Sequence, residues 1–163
     1  MEESILRIFA QCIIRYFNTI TGEPATMTAP FLGSSNEELS LDFSAVIGVS
    51  GNYRGNVFYT ASREKLEQLL PLLGEHSPNE TLCIELVGEM TNTYSGNARE
   101  ELGGSFMIST PLLLQGKNQI VRPAPGIPCY ILPIEWKGHQ SRLLISLAKA
   151  ETNSKYLPDT EGP

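Results

Sequence analysis

Ile108-Ser109-Thr110-Pro111-Leu112-Leu113 resembles an earlier stretch of the same chain, Met27-Thr28-Ala29-Pro30-Phe31-Leu32. Each is a strand-like run with a proline at its fourth position. A second matched pair lies upstream. Arg15-Tyr16-Phe17-Asn18-Thr19-Ile20-Thr21-Gly22 precedes the first run, and Glu89-Met90-Thr91-Asn92-Thr93-Tyr94-Ser95-Gly96 precedes the second. Asn, Thr and Gly align without a gap. Two matched features in the same order predict an internal repeat, over about residues 4–61 and 80–150. Chance likeness of short segments is the competing reading.

Each copy reads as helix–strand–strand–strand, and one extra helix separates them. The predicted fold is α/β (α+β): a pseudo-symmetric two-repeat domain with a mainly antiparallel sheet and helices packed against it. In the first copy, Ile5, Ile8, Phe9, Cys12, Ile13 and Phe17 recur at helical spacing, predicting a helix over 4–20. A strand containing Pro30 follows over 25–32, then a polar turn at 33–38. A buried strand is expected at 39–50, a hairpin turn at 51–55 and a returning strand at 56–60. Ser62 reads as the N-cap of a short helix with Leu66, Leu69, Leu70 and Leu73 on one face, ended by Gly74. The longest helix is predicted over 80–102 and stops at Gly103-Gly104. Strands are expected at 106–114, 129–136 and 143–148, separated by a Pro-rich loop at 122–128 and a turn at 137–141. Residues 1–150 form one predicted domain. The polar segment 151–163 lacks an apolar period and is expected to be disordered.

Composition narrows the function classes. The chain has 163 residues, 41% of them hydrophobic and 18% charged, as in a soluble globular domain. Its net charge of -6 disfavours nucleic acid and anionic membrane as partners. No stretch is apolar for long enough to span a bilayer, and the acidic start Met1-Glu2-Glu3 does not read as a secretory signal. Cys12, Cys83 and Cys129 show no metal or redox spacing and read as core residues in a reducing cytosol. His76 and His139 have no ligand-spaced companions, so no metal site is expected.

On a helical wheel, the long helix sends Cys83, Ile84, Val87, Met90, Tyr94, Ala98 and Leu102 to one side. Glu85, Glu89, Asn92, Gly96 and Arg99 form a continuous stripe opposite. Gly88 and Gly96 each cost a helix interior about 1 kcal/mol relative to Ala. A glycine beside Asn92 lets another backbone come close. On residue types alone, a solvated face remains an open reading of this stripe.

Glu89-x-x-Asn92 followed by Gly96-Asn97-Ala98 resembles the motif of the CheC/CheX/FliY chemotaxis phosphatases. The run Ile108-Ser109-Thr110-Pro111 is similar to that family's proline-bearing strand. Ala45-Val46-Ile47-Gly48-Val49-Ser50-Gly51, with Gly55-Asn56-Val57, is similar to its first hairpin. The resemblance covers about residues 5–150. It implies a cytoplasmic phosphatase acting on the aspartyl phosphate of a CheY-like response regulator. Asn92 would position the attacking water, as a glutamine does in GTPases, and Glu89 would anchor the regulator through its lysine. Glu85, Gly96, Asn97 and Pro111 would bind the partner. No cofactor of the chain's own is implied, because Mg²⁺ comes with the regulator.

Arg15 stands where the first copy would need Glu, while Asn18 is kept. This resembles the single-site CheX branch, whose members are similar in being homodimers. Glu85 replaces the family's usual Asp or Ser, and the segment from Asn92 to Pro111 is a few residues short. The alternative is a non-enzymatic binding module similar to the FliM/FliN switch proteins, which would bind a phosphorylated regulator or flagellar parts.

Overall fold

The computed structural model describes residues 2–33, 39–117 and 126–151. The expected tail after 151, most of the turn at 33–38 and part of the loop at 122–128 lie outside the described residues. Two long hairpins build the centre of one sheet. Strands β3 (Phe43–Gly51) and β4 (Tyr53–Ala61) form the first, and β7 (Tyr130–Trp136) and β8 (His139–Lys149) the second. They join where β4 pairs with β8, from Tyr53 opposite Lys149 to Ala61 opposite Ser141. Short strands flank them. β1 (Thr26–Met27) and β2 (Phe31–Leu32) both run along β7, and β5 (Phe106–Ile108) and β6 (Leu112–Gln115) both run along β3. Every pairing is antiparallel, as the sequence predicts.

The edges differ from expectation in one respect, which bears on the site. The strands expected at 25–32 and 106–114 are each broken in two. On one edge Met27 pairs with Ile134 and Phe31 with Ile131, so residues 28, 29 and 30 face only 132 and 133. On the other, Ile108 pairs with Val49 and Leu112 with Val46, so 109, 110 and 111 face only 47 and 48. Each edge carries one extra residue, a β-bulge, followed by a proline that could not donate to the ladder.

The hairpins are also tighter than expected. The 137–141 turn shrinks to Lys137-Gly138, with φ of 49° and 75°, and Trp136 pairs with His139. Two positive φ angles in a two-residue loop match the twist of the flanking strands, so pairing starts at once. Likewise β4 begins at Tyr53, which places Gly55 inside the strand.

Three helices cover one face: α1 (Glu2–Thr21), α2 (Arg63–Leu69) and α3 (Glu80–Leu102). The apolar stripe of α1 (Phe9, Ile13, Phe17) meets Val87, Met90 and Tyr94 of α3 over Tyr59, Trp136 and Leu143 of the sheet. Edge-to-face contacts tie the layers: the Tyr94 ring lies 5.5 Å from Tyr16 and 5.2 Å from Tyr59. On the opposite face Phe58, Cys129, Ile131 and Leu144 form a second, smaller core. The expected Leu66-to-Leu73 face is cut short. Pro71 ends the α-helix at Leu69, the chain continues as a 3-10 turn (Leu70–Leu73), and Leu73 is left exposed. All three cysteines are buried and unpaired, and burial raises each thiol pKa.

Lys65 of α2 is fully buried. Its Nζ donates to Ser141 Oγ at 2.6 Å and lies 4.7 Å from the Phe17 ring centroid. Burial pushes its pKa from 10.5 down to about 7, partly offset by the charge of Glu135. A lysine with a lowered folded pKa binds fewer protons folded than unfolded between those two values. Stability contributed by this group therefore rises with pH above about 7, by up to about 1.4 kcal/mol per unit. Below pH 7 the charging penalty is present in full. Lys65→Met should be more stable than wild type at pH 6, on the order of 1–4 kcal/mol. That gain should shrink as pH rises toward 9. Urea denaturation of both proteins across this range reads the difference, and a variant less stable at every pH would refute the penalty.

Candidate functional site

Helix α3 carries one wall of a groove of about 590 Å³, lined by Glu85, Gly88, Glu89 and Asn92; the opposite wall comes from the β5–β6 edge, with Ser109, Thr110, Pro111 and Leu113. The helix begins and ends at 80 and 102, as predicted. Asn79 Oδ1 accepts from the Leu82 N–H at 2.9 Å as N-cap, and Gly103 closes the other end. Glu80 in its first turn bonds Arg63 at 2.8 Å and Gln115 Nε2 at 3.1 Å, tying the helix to α2 and β6. These contacts fix α3 relative to the edge it faces.

The stripe falls where the wheel put it. Glu85, Glu89 and Asn92 are exposed, while Met90, Thr91 and Tyr94 beneath them are buried. Glu89 and Asn92 are three residues apart, so their side chains are neighbours on the helix surface. Among the described residues none hydrogen-bonds the Asn92 carboxamide, a group with both donors and an acceptor to offer. Thr93 Oγ1 donates back to the Glu89 carbonyl at 2.8 Å, and Thr91 Oγ1 to that of Val87 at 2.6 Å. Burial, and behind it the Glu89 carboxylate, push the Tyr16 hydroxyl up to about 12. The charge of Glu89 thus reaches the α1–α3 seam. Among the described residues the groove lining holds two carboxylates and no cationic side chain, which suits a partner presenting a cation.

Of the residues singled out in the sequence, Glu85, Glu89, Asn92 and Pro111 come together in this groove. Gly96 is half-buried with open space around it, one turn beyond the groove lining. Asn97 is half-buried and also outside the lining. Sequence reasoning missed the role of Gly88. A Cβ there would stand 2.6 Å from Leu113 Cδ2, so its absence lets Leu113 seat against the helix and floor the groove. The signal was present as a helix-interior glycine with no visible reason. Ser109, Thr110 and Leu113 were also missed as wall residues.

At the other edge of the sheet, a 350 Å³ hollow is lined by strand and edge residues such as Met27, Phe31, Pro133 and Arg142, with none from α1. Asn18 and Arg15 are exposed on α1 and lie outside both hollows. Among the described residues no cluster of three or more His, Cys, Asp or Glu could hold a metal ion. No helix among them is long and apolar enough to cross a membrane.

Known structures share this fold. The chemotaxis protein CheX of Vibrio vulnificus superposes with a TM-score of 0.77 at 23% identity, covering 89% of this chain and 99% of that one. A chemotactic CheC-like protein of Shewanella oneidensis gives 0.77 at 24%, covering 91% and 100%. The CheX–CheY–BeF3–Mg²⁺ complex of Borrelia burgdorferi gives 0.72 at 16%, covering 88% and 97%. At these identities the likeness concerns the fold. Among curated proteins, none matches the chain significantly in sequence. The family described as chemotaxis phosphatase CheX matches residues 43–135, more than half of the 163 and inclusive of both groove walls. With that match over more than half of its length, the chain belongs to the CheX family of chemotaxis phosphatases.

Proposed function

We propose that this chain hydrolyses the aspartyl phosphate of a CheY-like response regulator at the α3 groove. The observation that carries this reading is the adjacent pair Glu89 and Asn92, exposed at the groove, with the carboxamide hydrogen-bonded by no described residue. Family membership and the CheX–CheY complex of Borrelia burgdorferi support it. Aspartyl phosphate hydrolysis is an in-line attack by water, and the catalyst mainly positions and stabilises charge. Asn92 accepts from and donates to one water without titrating, so it can hold that water at any physiological pH. Glu89 offers a carboxylate one turn away to the regulator's lysine, and Glu85 adds a second at the rim. Gly96 leaves clearance beside Asn92, and Asn97 and Pro111 border the contact. Mg²⁺ arrives bound to the regulator and neutralises phosphoryl charge there.

In this reading the chain has one site, Asn18 has a structural or vestigial role, and residues 1–150 form a single domain of two related halves. The protein is a homodimer in the cytoplasm, and sedimentation of the purified protein tests its oligomeric state. Phosphate release from a phosphorylated CheY-like regulator, with catalytic amounts of this protein, tests the reaction. Binding without faster release would instead mark a FliM/FliN-like binding module. Glu89→Ala should weaken regulator binding about tenfold or more, through loss of an interfacial charge pair. Calorimetric titration reads the affinity, and an unchanged value would end the anchoring role.

A further inference from the structure

The two edges of the sheet carry the same bulge with different chemistry. On the groove side, Ser109 lies opposite Gly48, and its N–H donates to the Gly48 carbonyl at 2.9 Å. The Gly48 N–H donates back to Ser109 Oγ at 2.8 Å, and that hydroxyl donates on to the Thr110 carbonyl at 3.2 Å. One side chain thus ties the bulge both to β3 and to its own next residue. On the other edge, extending the pairing of Met27 with Ile134 by one position sets Thr28 opposite Pro133. Proline has no N–H, so the corresponding tie cannot form there. The next residue is Ala29 instead of Thr110. The edge bearing the tie and the extra hydroxyl is the edge that faces Glu89 and Asn92.

Thr110 is exposed on the groove wall, and its side-chain hydroxyl is engaged by no described residue. A bulge with alanine at this position forms on the other edge, so the fold does not require threonine here. We propose that Thr110 is a recognition group for the bound regulator and that Ser109 is the positioning residue that holds it in place. This rests on the groove being the regulator site. The Thr110 hydroxyl meets a polar group of the partner from the wall opposite Glu89 and Asn92. The regulator is then gripped from both sides of the phosphoryl group.

The test measures affinity for a beryllofluoride-loaded CheY-like regulator by calorimetry, and phosphate release at saturating phosphorylated regulator. Thr110→Ala should weaken binding about fivefold, the worth of one hydrogen bond, with release at saturation within about twofold of wild type. Ser109→Ala should weaken binding to a similar extent. Adding it to Thr110→Ala should cost little more, because both changes remove the same contact. Ser109→Thr should keep wild-type affinity, since threonine retains the hydroxyl that makes the tie. Thr28→Ala should leave both readouts unchanged; melting midpoints should stay within about 2 °C for Thr28→Ala and Thr110→Ala and fall by a few degrees for Ser109→Ala, which loses two hydrogen bonds. Wild-type affinity in Thr110→Ala would overturn the proposal, as would equal losses from Thr28→Ala and Ser109→Ala. Tight wild-type binding with no hydrolysis would refute the phosphatase reading while leaving the affinity differences to decide this one. A wild type that does not bind the regulator would overturn both.

Discussion

Asn92→Ala should reduce phosphate release from a phosphorylated CheY-like regulator to about the regulator's own rate, a loss of about 10²-fold or more. The side chain is exposed and hydrogen-bonds no described residue, so its removal should leave the fold intact. Alanine is also the better helix former, which favours α3 slightly. What disappears is the fixed amide beside Glu89. Regulator affinity should change little, because the charge that anchors the partner remains. The measurement is single-turnover decay of the phosphorylated regulator with excess protein, wild type against variant. A wild-type decay rate in the variant would remove water positioning from Asn92 and require another group to hold the water.

The second large effect concerns stability, and it lies far from the groove. Gly55 sits inside β4 with φ of 135°, a conformation that side chains rarely adopt. A Cβ there would meet the Ser146 carbonyl oxygen of β8 at 1.8 Å and its carbon at 2.9 Å. Both are backbone atoms of the pairing that joins the two hairpins, so neither can turn away. Gly55→Ala should destabilise the protein by about 3–5 kcal/mol, combining backbone strain with overpacking. The melting midpoint should fall by roughly 10 °C. Gly88→Ala makes a useful contrast, because its clash at 2.6 Å is with the tip of the half-exposed Leu113, which can swing aside. A Gly55→Ala variant that melts like wild type would show that the central pairing tolerates a shift of its strands.

The long helix was legible in the sequence to the residue. Its apolar period is unbroken, and Gly103-Gly104 stops it by conformational freedom alone. Because a helix wheel is a local property, the exposure of Glu85, Glu89 and Asn92 followed from the same reading. The antiparallel hairpins followed as well, from turn residues between apolar runs. The bulges did not. Whether residues 106–114 form one strand or two depends on how many residues of β3 lie opposite them, and no local pattern carries that count. Gly88 illustrates the same limit. Its cost to the helix was visible, but the Leu113 methyl that requires the space arrives from a strand far along the chain.

Lys65 marks the boundary in another way. It stands between Glu64 and Leu66 on a short helix, with nothing nearby to distinguish it from a surface lysine. Only the packing of α2 against β8 and α3 places its ammonium group against Phe17 and Ser141. The sequence by itself therefore determined the helices, the central hairpins, their order and the helix face that carries Glu89 and Asn92, because these rest on periodicity, caps and turn residues within a short stretch of chain. The tertiary structure alone decided the opposite wall, the buried lysine and the difference between the two edges. Those depend on register and burial, which are relations between residues distant in the chain.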